Sequence, residues 1–165
     1  MPTIATQTRV VIVRHHRELH RSSNSGRLAN LALPNSEIID HGVDGTPTKL
    51  PPLDGAWLLF PAGPPTTERP VPPPKQLIVL DATWSQARRM YRKLDALRGL
   101  PTLRLPDEPV PTARLRTSPG EGRVSTIEAI ARALRILEGE DAAAGLERLF
   151  AVAVGRAQST GRRIG

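Results

Sequence analysis

Directly after the apolar run Gln76-Leu77-Ile78-Val79-Leu80 the chain reads Asp81-Ala82-Thr83-Trp84. A carboxylate at the end of a buried strand and before a helix stands where open α/β sheets gather their ligands. There it can take a proton or hydrogen-bond a ligand. The same four residues also suit a helix start, with Asp81 or Thr83 as the cap and Trp84 in the core. The sequence alone leaves both readings open.

Three further groups bear on chemistry. Arg88-Arg89 and Arg92-Lys93 put four cations on one side of the helix after Asp81, as a phosphate track or as a solvated face. The loop Arg116-Thr117-Ser118-Pro119-Gly120-Glu121-Gly122 leads to Ser125-Thr126-Ile127-Glu128, which has the form of a capping box. A helix start reached through glycines favours an anion, so a ligand carboxylate can dock there. His15, His16, Glu18 and His20 cluster after the first apolar run, but no second cluster completes a zinc set. They fit hydrogen bonding within a site or to RNA better than a metal, and no metal is expected.

These residues need a scaffold to position them. Val10-Val11-Ile12-Val13 reads as a strand buried on both faces, as in parallel sheets. Arg27 to Ala32 reads as a short helix that Ser25 can cap, and Ser36 to Asp40 as a short strand. Ala56 to Phe60 and Gln76 to Leu80 are two more strands, joined by a proline-rich surface connection over 61–75. A helix is predicted from Trp84 to Leu97, because Trp84, Ala87, Met90, Tyr91, Leu94 and Leu97 share one face. Thr102 to Leu105 reads as a short strand. One helix follows from Ser125 with Gly139 as its stop, and another spans Asp141 to Val154. Strands alternating with helices predict an α/β fold: a mainly parallel sheet flanked by helices, in a single domain over 1–165 with a basic tail from about residue 155.

The net charge is +7, from 23 basic against 16 acidic residues, which favours polyanionic partners such as nucleic acid. Only Lys49, Lys75 and Lys93 are lysines, so an arginine-rich base composition accounts for part of that surplus. The chain has no cysteine, which excludes disulfides, thiolate metal sites and a cysteine nucleophile. The G-x-x-x-x-G-K-[ST], G-x-G-x-x-G and G-x-S-x-G signatures are absent. No apolar run approaches the roughly 20 residues of a membrane span. Residues 1–7 lack the pattern of a signal peptide. A cytoplasmic protein without membrane contact is expected.

Taken together these segments resemble the DTW-domain family, whose namesake is a D-G/A-T-W motif after a buried strand. That motif is Asp81-Ala82-Thr83-Trp84 here, followed by Ser85-Gln86-Ala87-Arg88. The likeness continues in order through His15-x-x-Glu18, Asn24-Ser25-Gly26-Arg27-Leu28, Leu59-Phe60-Pro61, Leu100-Pro101, Arg114-x-Arg116 and Ser125-Thr126-x-Glu128-Ala129. Many members also carry an N-terminal cysteine cluster, which this chain lacks.

The resemblance implies a tRNA-uridine aminocarboxypropyltransferase with S-adenosylmethionine as co-substrate. A more distant likeness to an enzyme making the same transfer on ribosomal RNA implies a SPOUT-like fold. In that fold Leu103 to Leu137 would thread a C-terminal trefoil knot. Carried over by motif, Asp81 is the catalytic carboxylate. Ser25, Leu80, Leu103 and Ser125 match cofactor contacts, while Thr83, Trp84 and Thr126 line the same pocket. Arg116 or the helix end at Ser125 holds the cofactor carboxylate. His15, Glu18, Arg27, Arg88, Arg89, Arg92 and Lys93 face tRNA, and the protein acts as a monomer or homodimer. The alternatives are a SPOUT-type methyltransferase using the same cofactor and a non-catalytic RNA-binding module.

Overall fold

Val10, Val11, Ile12 and Val13 are all fully buried, so β1 (Arg9–His15) has both faces covered. The structure, a computed structural model, describes residues 3–15, 25–42, 48–106 and 126–161. β1 is joined by β2 (Ser36–His41), β3 (Ala56–Leu59), β4 (Gln76–Asp81) and β5 (Thr102–Leu103). The five pair in the order β2-β1-β4-β3-β5, with every pairing parallel. β5 stops earlier than the predicted Thr102–Leu105, because the backbone N–H of Arg104 turns to the Thr66 hydroxyl and its carbonyl accepts from the Thr66 N–H.

Alternate strand residues feed two cores. Val10, Ile12, Leu77 and Val79 pack with α1 (Ser25–Ala32), α4 (Thr126–Leu137) and α5 (Glu140–Gly161). Val11, Val13, Ile78 and Leu58 pack with Met90 of α2 (Trp84–Lys93) and Leu97 of α3 (Asp95–Arg98). The result is a parallel sheet between two helical layers, as the alternation of strands and helices predicts.

Two helices depart from their expected spans. The helix predicted from Trp84 to Leu97 breaks at Leu94, whose backbone is extended (φ −94°, ψ 91°). Its apolar positions stay in phase across the break. Leu94 caps α2 with its N–H on the Met90 carbonyl, and the Arg98 guanidinium also donates to the carbonyls of Tyr91 and Arg92 and pairs with Asp95. The last helix runs on to Gly161 rather than ending at Val154. Gly139, at φ +109°, turns the chain between α4 and α5 while its N–H bonds the Leu134 carbonyl.

The strand order carries a functional consequence. From β1 the chain leaves through α1 toward β2 on one side. From β4 it leaves through α2 and α3, on the opposite face, toward β5 on the other side. The sheet therefore reverses direction between β1 and β4, and the carboxyl ends of these two strands flank the crevice where such sheets take ligands. Asp81 closes β4 at that point.

Candidate functional site

Asp81 is 3% exposed, and its Oδ2 is sealed from solvent. The period-two alternation that sends Leu77 and Val79 toward α4 sends Asp81 the same way. There the Thr126 hydroxyl, itself buried, donates to Asp81 Oδ1 at 2.5 Å. Thr126 is the first residue of α4, so the carboxylate lies at the N-terminal end of that helix. A hydrogen bond from a hydroxyl to a carboxylate is among the stronger kinds.

Arg14 is the register neighbour of both Asp81 on β4 and Asp40 on β2. Its Nε donates to Asp40 Oδ1 at 2.8 Å, and its side chain is 13% exposed. The carboxyl edge of the sheet thus reads acid, base, acid across three strands. Sequence reasoning missed Arg14, because nothing local distinguishes an arginine at the end of a strand from a solvated one. Only the pairing register sets it between two aspartates.

Thr83 caps α2: its hydroxyl accepts from the Gln86 N–H at 3.2 Å, and the Gln86 side-chain oxygen accepts from the Thr83 N–H at 2.9 Å. The capping role left open for this motif falls to Thr83. Thr83 starts the helix, and Asp81 turns to the opposite face of the sheet. Leu80 is half-buried and packs on the α2 side. Leu103 is fully buried among the α4 residues, and its carbonyl accepts from the Phe60 N–H. Ser25 and Trp84 begin α1 and α2. Glu18, Arg116 and Ser125 lie outside the described residues.

Arg88, Arg89, Arg92 and Lys93 are all exposed on α2, and Asp95 pairs with Arg98. Arg27 is exposed on α1, the other side of the sheet. Arg89 and Lys93 reach a cavity of about 290 Å³ at the ends of β1 and β2, lined also by His15, His41, Gln86 and Met90. His15 and His41 are register partners, with ring centroids 6.2 Å apart. The structure thus brings His15 together with Arg89 and Lys93, and sets Arg27, Arg88 and Arg92 apart from them. His41 and Gln86 join this group without having been singled out in the sequence.

Among the described residues no group of three or more histidines and carboxylates is placed to hold a metal ion. No described helix is long and apolar enough to cross a membrane.

The chain matches the family model described as the DTW domain over residues 1–158. Over 65 residues it is 37% identical to tRNA-uridine aminocarboxypropyltransferase 2 of Drosophila melanogaster. That stretch is 39% of this chain and 26% of the fly protein, so the chain spans about a quarter of the length of this relative. No solved structure matches the chain. The family match takes in β1, the Asp81 motif and the start of α4 at Thr126 alike, and the chain belongs to the DTW-domain family.

Proposed function

We propose that this protein transfers the 3-amino-3-carboxypropyl group of S-adenosylmethionine to a uridine base of tRNA. The observation that carries the reading is the buried Asp81 carboxylate, held by Thr126 at the β1/β4 switch point of a DTW-family chain. The activity for which the fly relative is named supports the reaction class.

The positions available for S-adenosylmethionine fit one end of the sheet. Leu80 and Asp81 end β4, while Leu103 lies level with Val79 through their common partner Leu59. Thr126 joins them through Asp81, and Ser25 begins the helix that follows β1. Ser25, Leu80, Leu103 and Thr126 would hold the cofactor, with Thr83, Trp84 and Ser125 beside it and Arg116 for its carboxylate. Bound there, S-adenosylmethionine supplies an electrophilic carbon on a sulfonium that departs as neutral methylthioadenosine.

Asp81 then has one task that suits a carboxylate: to take the proton from the uridine imide nitrogen as that nitrogen bonds to the carbon. The electron pair of the broken carbon–sulfur bond stays on sulfur, so no general acid is needed. Thr126 fixes the direction from which Asp81 accepts. Holding base and carbon in line supplies most of the acceleration. His15, Arg27, Arg88, Arg89, Arg92 and Lys93, with Glu18, would face the RNA. The parallel sheet and the return of α4 to the end of β4 support a SPOUT-like topology, while residues 107–125 of the segment expected to thread the knot lie outside the described residues.

Nucleoside mass spectrometry of tRNA incubated with the protein and S-adenosylmethionine tests this. The expected product is uridine carrying an aminocarboxypropyl increment, with methylthioadenosine released. A methyl increment with S-adenosylhomocysteine would replace this reading with a methyltransferase. No increment on any tRNA would leave a binding module.

A further inference from the structure

The cavity at the ends of β1 and β2 is lined from three elements, and α2 brings two cations to it, Arg89 and Lys93. His15 and His41 stand side by side on adjacent strands. The His41 ring is held by its Nδ1, 2.5 Å from the Thr48 hydroxyl. Facing them, Gln86, Arg89 and Lys93 recur at positions i, i+3 and i+7 of α2, one stripe of that helix. The capping box pins Gln86 by its side-chain oxygen, which leaves its NH₂ as the donor it can offer. Met90, 1% exposed, anchors the stripe to the core. No carboxylate occurs among the described residues lining this space. Asp40, next to His41, is turned to Arg14 on the other face of the sheet.

Arg89 and Lys93 bring two positive charges to one space, which favours an anion there. Arginine, lysine and side-chain N–H donors together suit the several acceptor oxygens of a phosphate group. We propose that this cavity is a phosphate-binding subsite that takes a backbone phosphodiester of the RNA. Its RNA occupant rests on the tRNA reading above, whereas its phosphate chemistry does not. His15 follows Arg14, the register neighbour of Asp81, so the subsite adjoins the candidate catalytic carboxylate across the sheet edge. A phosphate held there would anchor the strand flanking the reacting uridine.

The test is a titration of the full chain, without S-adenosylmethionine, followed by NMR of the histidine rings assigned through His→Gln variants. The probes are inorganic phosphate, sodium chloride at equal ionic strength, and a short oligouridylate. Phosphate and oligouridylate should each shift His15 and His41 beyond the chloride effect, and phosphate should compete with the oligouridylate. His41→Gln and Lys93→Gln should each weaken both ligands about tenfold. Lys75→Gln, the same charge change at the opposite end of the sheet, should stay within about twofold. Phosphate shifts no larger than those of chloride, or equal losses in Lys75→Gln and Lys93→Gln, would overturn the subsite. Binding of inorganic phosphate without competition from oligouridylate would overturn its assignment to the RNA backbone. If tRNA goes unmodified while these shifts occur, the reaction fails and the subsite stands.

Discussion

The Thr126 hydroxyl donates to Asp81 Oδ1 between two residues 45 positions apart, one ending a central strand and the other beginning a helix. This single bond ties the motif that defines the family to the far side of the chain. It also links stability and chemistry, because the group that anchors α4 to the sheet is the group proposed to accept the proton.

Asp81→Asn separates those two tasks. The amide keeps the shape and can still accept from Thr126, but it cannot act as a base. Transfer to tRNA should fall by at least about 100-fold, the usual scale of losing a general base. S-adenosylmethionine affinity, read by calorimetry, should stay within several-fold. A fully active Asp81→Asn protein would remove Asp81 from the chemistry and leave it as an anchor for α4.

Thr126→Val removes the donor and leaves a buried carboxylate that has lost it. Equilibrium urea denaturation should show a loss of about 1–3 kcal/mol, the cost of leaving such a group short of a hydrogen bond. Thr126→Ser should restore most of it. Combined with Asp81→Asn, Thr126→Val should cost less than it does alone, since the charge that needs the hydroxyl is gone. Additive losses in the double variant would mean the two side chains do not depend on each other.

What the sequence made legible follows from which forces are local. Val10 to Val13 and Gln76 to Leu80 announce buried parallel strands by composition, and the parallel α/β sheet follows from them. Asp81 was legible because its position depends only on the strand before it. Arg14 was not, because its place between Asp40 and Asp81 comes from the register of three strands distant in sequence. His41 was invisible for the same reason. The break at Leu94 was hidden because the apolar phase continues through Leu97, which packs in the same core as Met90. The cap at Thr83 was partly legible: Thr83-Trp84-Ser85-Gln86 carries the same hydroxyl-to-carboxamide spacing that marks a capping box.

Glu138 fastens the first residues to the turn after α4 and should make that attachment pH-dependent. Burial pushes its carboxyl up. Three hydrogen bonds, from the Thr8 hydroxyl and the N–H groups of Thr8 and Gln7, together with the charge of Arg69, more than offset this and hold it below its ordinary value. A carboxyl depressed in the folded state adds stability that is fully present above the unfolded pKa, near about 4.3. That stability fades as pH falls through the lower folded value. Wild type should therefore lose stability between neutral pH and about pH 3 more steeply than Glu138→Gln, as read by urea midpoints. Parallel pH curves for the two proteins would show that Glu138 contributes nothing to the acid transition.

The exposed face of α2 can be tested by salt. If Arg88, Arg89 and Arg92 contact phosphates, each displaces counterions, and the slope of log affinity against log salt carries about 0.7 to 0.9 per contact. Replacing all three with alanine should weaken tRNA binding and flatten that slope by about 2 to 3. Arg135 provides the contrast: it is a cation committed within the fold, bridging Glu140 at 2.8 Å and Glu147 at 2.7 Å. Arg135→Ala should leave the slope where it was, though the α4–α5 corner loses both ion pairs. Equal flattening in both proteins would mean that net charge alone governs binding, and an unchanged slope in the triple variant would return the α2 arginines to an ordinary solvated surface.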